Sequence, residues 1–70
     1  MDDDTLLAVD EALERLAAKD DEAAQLVKLR YFVGLTHAEA ANVLGVSERT
    51  GKSIWAYARA WLSKEIKKNQ

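Results

Sequence analysis

Apolar residues recur along the chain at the spacing of one-sided helices. Leu6, Val9, Leu13 and Leu16 stand three, four and three residues apart, a stripe that lets a helix bury one face against a neighbour. It predicts a first helix from about Asp4 to Ala18. Ala23, Leu26, Leu29 and Val33 repeat the pattern in a second helix, capped by Asp20 or Asp21 and stopped by Gly34, which suits the left-handed C-terminal position. Val27, Tyr31 and Phe32 widen its apolar surface. Thr36 followed three residues later by Glu39 is the sequence of a capping box. A short third helix is expected to start there and to carry Ala40, Ala41 and Leu44 inward. After Gly45 and Val46, Ser47 is placed to cap a long fourth helix reaching roughly Lys67. The expected fold class is all-α, one small four-helix domain over residues 1–70.

The segment from Thr36 to Leu62, THAEAANVLGVSERTGKSIWAYARAWL, has helix-turn-helix grammar, its second member being the long recognition helix. Two helices crossing steeply need small residues where they meet, here Ala40 and Ala41. The turn between them needs a glycine, here Gly45, with the apolar Val46 tucked beneath it. At about 100° per residue, Trp55, Ala58 and Leu62 fall within about 40° of Gly51 and define a core face, broadened on one side by Ile54, Tyr57 and Trp61. Arg49, Lys52, Ser53, Ala56, Arg59, Ala60 and Ser63 fall opposite, polar or small and without an acid among them. Such a face can approach a phosphodiester backbone: Arg49 can offer paired donors to guanine, and Lys52 a point charge to phosphate. Most of the five aromatics are expected inside, because two tryptophans are a large share of so small a core.

Composition narrows the function. At 70 residues, 49% hydrophobic and 31% charged, the chain fits one globular domain. With no cysteine and one histidine it offers no disulfide, thiolate nucleophile or metal cluster. No cofactor or metal is expected, and no enzyme either: His37 has no nucleophile arrangement around it. No apolar stretch approaches a membrane span, and three aspartates follow Met1 where a signal peptide would be basic, so a cytoplasmic, membrane-free chain is expected. Charge is divided. Residues 1–40 carry ten acidic side chains against four basic ones, and residues 41–70 carry six basic against two acidic. The formal net charge of −2 hides this dipole, which gives a polyanion one acceptable end. The sequence pI of about 5.3 is low for an autonomous DNA-binding domain, for which a value above about 9 is usual. Weak binding in isolation follows.

The run LRYFVGLTHAEAANVLGVSERTGKSIWAYARAWL resembles region four of bacterial RNA polymerase sigma factors, especially the extracytoplasmic-function (ECF) group. The words that carry the likeness are Gly34-Leu35-Thr36, Glu39-Ala40-Ala41, Leu44-Gly45-Val46-Ser47, Arg49-Thr50 with Lys52, and Ala58-Arg59-Ala60-Trp61-Leu62. The preceding helices look like the lead-in of that region. The resemblance implies recognition of the upstream, minus-thirty-five promoter element by the fourth helix, and docking on the β-subunit flap of core RNA polymerase during transcription initiation. It places Ser47, Glu48, Arg49, Thr50, Lys52 and Ser53 where family members touch DNA, and Thr36 where the supporting helix meets a phosphate. An anti-sigma factor is a further implied partner.

Three positions depart from the family pattern. Gly51 replaces a β-branched residue and is expected to leave a gap beside Val46, while Ser53 and Ile54 stand where relatives carry charged or polar side chains. Ile54 is expected to pack in the core against the first helix, or else to extend a partner-binding patch with Tyr57 and Trp61. Two other functions share this grammar. One is a protein-interaction module with weakened DNA recognition, binding polymerase or an anti-sigma factor through its aromatics. The other is a dimeric output domain of response-regulator type, against which a monomer is expected here.

Overall fold

The computed structural model describes the backbone of residues 3–68 and the side chains of residues 8–68. Helix α1 (Asp3–Lys19) is followed by α2 (Asp21–Lys28), α3 (His37–Leu44) and α4 (Glu48–Lys68). There are no strands among the described residues, so the fold is all-α, as the periodicity predicts. The side chain of Leu6 lies outside the described residues.

Local chemistry sets each boundary. Asp20 sits in extended conformation and its carboxylate accepts the Ala23 N–H at 3.2 Å, which satisfies one of the donors left free at the start of α2. Asp21 and Glu22 in the first turn and Lys28 in the last suit the helix dipole. Helix α3 ends at Gly45, with φ of 74°. There the Val46 N–H reaches the Ala41 carbonyl at 3.0 Å and the Gly45 N–H reaches the Asn42 carbonyl at 3.2 Å, the paired bonds of a Schellman terminus.

The second helix does not run as a uniform α-helix to Gly34. After Lys28 it opens into a π-helical turn, Leu29–Val33, closed by the Leu29 carbonyl accepting from both Gly34 N–H and Leu35 N–H at 3.0 Å. A π turn holds an extra residue relative to the α-helix, so residues beyond Leu29 leave the apolar stripe. Leu29 is half-buried, while Tyr31, Phe32 and Val33 are 65%, 58% and 64% exposed. Val33 is therefore not a core residue. The expectation that most aromatics are buried is corrected too: Tyr57 is exposed, and Trp55 and Trp61 are half-buried.

Small side chains fill the core instead. Ala12, Leu13 and Leu16 of α1, Ala23, Ala24 and Val27 of α2, and Ala58 and Leu62 of α4 form one buried cluster, with Ile54, Trp55 and Trp61 packed partly against it. Ile54 is thus in the core arrangement. Complete burial of Leu13, Leu16 and Leu26 contributes about 1.5–3 kcal/mol each, and alanines let the three helices approach closely. Helix α3 packs against α4 and the end of the second helix. Helix α4, 21 residues long, extends about 31 Å at 1.5 Å per residue, close to the 35 Å long axis of the molecule. None of the helices is long and apolar enough to cross a membrane among the described residues.

Candidate nucleic-acid interface

The two helices of the helix-turn-helix begin with side-chain caps that also carry the candidate contacts. Thr36 Oγ1 accepts the Glu39 N–H at 3.1 Å, and Glu39 Oε1 accepts the Thr36 N–H at 2.9 Å. The box predicted from sequence is complete. Hydrogen bonding to the carboxylate from the Thr36 backbone N–H first, and from the Thr36 hydroxyl second, holds the Glu39 carboxyl below its ordinary value of 4.5, so a carboxylate stands at the start of α3. Thr36 is exposed there, as a phosphate contact requires, but the neighbouring negative charge opposes an incoming phosphate.

Ser47 begins α4. Its Oγ accepts the Thr50 N–H at 3.1 Å and donates to Thr50 Oγ1 at 3.0 Å. This leaves the Thr50 hydroxyl proton free to donate outward. Glu48 and Lys52 form an ion pair one turn apart, Nζ to Oε2 at 3.2 Å. Both are exposed, so the pair adds little to stability. Arg49 and Ser53 are exposed with no side-chain partner among the described residues.

Burial along α4 follows the wheel. Gly51, Ala58 and Leu62 are buried and Trp55 half-buried, while Arg49, Lys52, Ser53, Ala56, Arg59, Ala60 and Ser63 are all exposed. Seven candidate residues, Thr36, Ser47, Glu48, Arg49, Thr50, Lys52 and Ser53, are exposed at the starts of α3 and α4. Gly51 does not leave a gap beside Val46. A β-carbon at position 51 would stand 3.1 Å from Ala41 Cβ, so its bare backbone is what lets α3 lie against α4.

Sequence reasoning missed Arg30, which it counted only as a charge. Its Nη1 donates to the Leu35 carbonyl at 2.8 Å, its Nη2 lies 3.4 Å from His37 Nε2, and its guanidinium sits 4.9 Å from the centre of the Trp55 ring. The one available signal was an arginine set inside an apolar, aromatic run, LVKLRYFV, since guanidinium groups stack on indoles.

A second surface adjoins the first. Val9 and Leu13 of α1, Val27 and Phe32 of the second helix, and Leu62 and Ile66 of α4 line an apolar groove of about 410 Å³. Arg59 and Ser63 also line it, so the outward face of α4 passes from its polar N-terminal turns to the edge of this groove.

Among curated proteins and among solved structures, comparison finds no significant match to the chain. A family model described as ECF sigma factor matches residues 1–68. The chain belongs to the ECF sigma factor family, whose members act in transcription initiation with RNA polymerase at promoter DNA.

Proposed function

We propose that residues 1–70 act as one region-four module, reading the minus-thirty-five promoter element with α4 and docking on core RNA polymerase through the apolar groove. The observation that carries this reading is the division of α4: every residue on its arginine-lysine side is exposed while Gly51, Ala58 and Leu62 are buried. With its N-terminal turns in the major groove, Arg49 pairs with a guanine edge, Lys52 and the Thr50 and Ser53 hydroxyls serve phosphates or base edges, and Ala56 lets the helix sit deep. Ser47 holds the helix start. Glu48 can accept from a cytosine amino group and meanwhile keeps Lys52 partly neutralised. Thr36 meets a phosphate from the supporting helix.

The groove and the exposed Tyr31 and Phe32 support a polymerase contact on the β flap, and the same surface suits an anti-sigma factor. Its presence also favours the interaction-module reading, in which the groove matters and the DNA face does not. The two readings separate in an NMR titration of the chain with upstream-element duplex at low salt. Shifts concentrated at residues 47–53 are expected for promoter reading; shifts that are absent or evenly scattered would leave only the interaction module. As a tethered part of an assembly on the polymerase, a weakly binding acidic module gains effective concentration from the other contacts.

A further inference from the structure

We propose that Arg30 is a positioning residue for promoter reading: it fixes the angle between the supporting helix α3 and the recognition helix α4 without touching DNA. The inference rests on the promoter reading above.

Three pieces of the fold converge on one guanidinium. Leu35, whose carbonyl accepts from Nη1 at 2.8 Å, leads into α3. His37, whose Nε2 lies 3.4 Å from Nη2, is the first residue of α3. Trp55, whose ring centre lies 4.9 Å from the guanidinium carbon, stands in the second turn of α4. The His37 ring meets the same indole edge-on at 5.8 Å, and Tyr31 approaches it at 5.4 Å.

The placement of this cluster gives it leverage. Helices α3 and α4 pack together over several residues, with Ala41 set against the bare backbone of Gly51. His37 lies one turn from Ala41 on α3, and Trp55 one turn from Gly51 on α4. At that distance the cluster adds a polar and aromatic tie to the packing of the two helices, and so helps set where Thr36 and Arg49 stand relative to each other. Arginine is suited to the task because its planar fork bonds two acceptors while its face stacks on a ring; lysine has neither plane nor fork. His37 Nδ1 and Arg30 Nε are buried without a partner among the described residues. Unpaired buried polar groups lower stability, and such departures concentrate where function needs the arrangement.

The test compares the wild-type chain with Arg30→Lys. It measures NMR contacts between His37 and Trp55, helix orientation from residual dipolar couplings, and affinity for minus-thirty-five and scrambled duplexes across salt concentrations. In a folded Arg30→Lys chain the His37–Trp55 contacts weaken, α3 changes its angle to α4, and discrimination between the duplexes falls about tenfold, the scale of one lost base contact. The salt slope stays as in wild type because no phosphate contact is removed. Unchanged helix orientation and discrimination overturn the proposal, and so does a slope reduced by about one, which marks a direct phosphate contact. Should Arg30→Lys fail to fold, Trp55→Phe removes the indole platform instead; full discrimination there overturns the proposal and a matching loss supports it. A wild-type chain that treats the duplexes alike removes the promoter reading and this inference together, whereas a wild type that discriminates beside an equally discriminating Arg30→Lys removes this inference alone.

Discussion

Gly51 of α4 faces Ala41 of α3 with no side chain between them: a β-carbon at position 51 would stand 3.1 Å from Ala41 Cβ and 4.0 Å from the His37 carbonyl oxygen. The Ala41 Cβ is fixed to its backbone, so no rotamer change can make room and α3 itself must shift. Gly51→Ala is expected to be near neutral, because a gain of about 0.5–1 kcal/mol from replacing a mid-helix glycine is offset by crowding of a few tenths of an ångström. Gly51→Val is expected to lose about 1–3 kcal/mol, the usual cost of overpacking. Urea unfolding of the two variants checks this. A valine variant as stable as wild type would mean that the helices do not meet at this point.

The Glu48–Lys52 pair predicts an electrostatic signature on DNA. Glu48→Gln releases Lys52 and removes a negative charge from the proposed DNA-reading surface, so affinity for scrambled duplex should rise and its salt dependence steepen. Lys52→Ala should lower affinity for all duplexes alike and reduce the salt slope by about one. Arg49→Ala should cost about 1–3 kcal/mol on the cognate element and relax base preference at one position. Fluorescence anisotropy on matched and scrambled duplexes separates the three.

Glu39 predicts an acid limb in stability. Its folded-state value lies below the ordinary 4.5 because Thr36 donates to the carboxylate, so the unfolded chain takes up the proton first as pH falls. The stabilisation is present above 4.5 and is lost as pH drops through the lower folded-state value. In Glu39→Gln the side chain cannot titrate. Thermal unfolding at a series of pH values should therefore show wild type losing stability relative to Glu39→Gln below 4.5, and a constant difference between them would remove the capping role.

Phe32 tests the groove. It is 58% exposed and lines the apolar surface between α1, the second helix and α4. Phe32→Ser should leave the unfolding midpoint nearly unchanged, since little buried area is lost, but should weaken capture of the chain by an isolated β-flap fragment. DNA affinity should not change. If flap binding survives the substitution, the polymerase contact lies elsewhere on the chain.

What was legible in the sequence is what neighbours along the chain decide. The Thr36–Glu39 box, the Ser47 cap, the Gly34 and Gly45 stops and the two-sided character of α4 involve partners three to five residues apart, and each stands where its spacing puts it. The π turn at Leu29–Val33 was not legible, because a stripe through Leu29 and Val33 fits an α-helix equally well and only packing and chain direction select the wider turn. Its consequence, Tyr31 and Phe32 turned outward beside a groove, was hidden with it.

The role of Gly51 shows the same limit. Sequence reading placed it correctly on the core face and then took its missing side chain for a gap, since the distance to Ala41 is set by how α3 settles on α4. Arg30 likewise joins Leu35, His37 and Trp55, the last of them 25 positions away. The sequence by itself determined which segments are helices, where they start, and which side of α4 carries the cations, because short-range hydrogen bonds and periodic burial act within a single turn or two. The tertiary structure decided which small residues touch, which aromatics remain exposed and where one guanidinium ties three elements together, because close packing between helices depends on their mutual approach and angle.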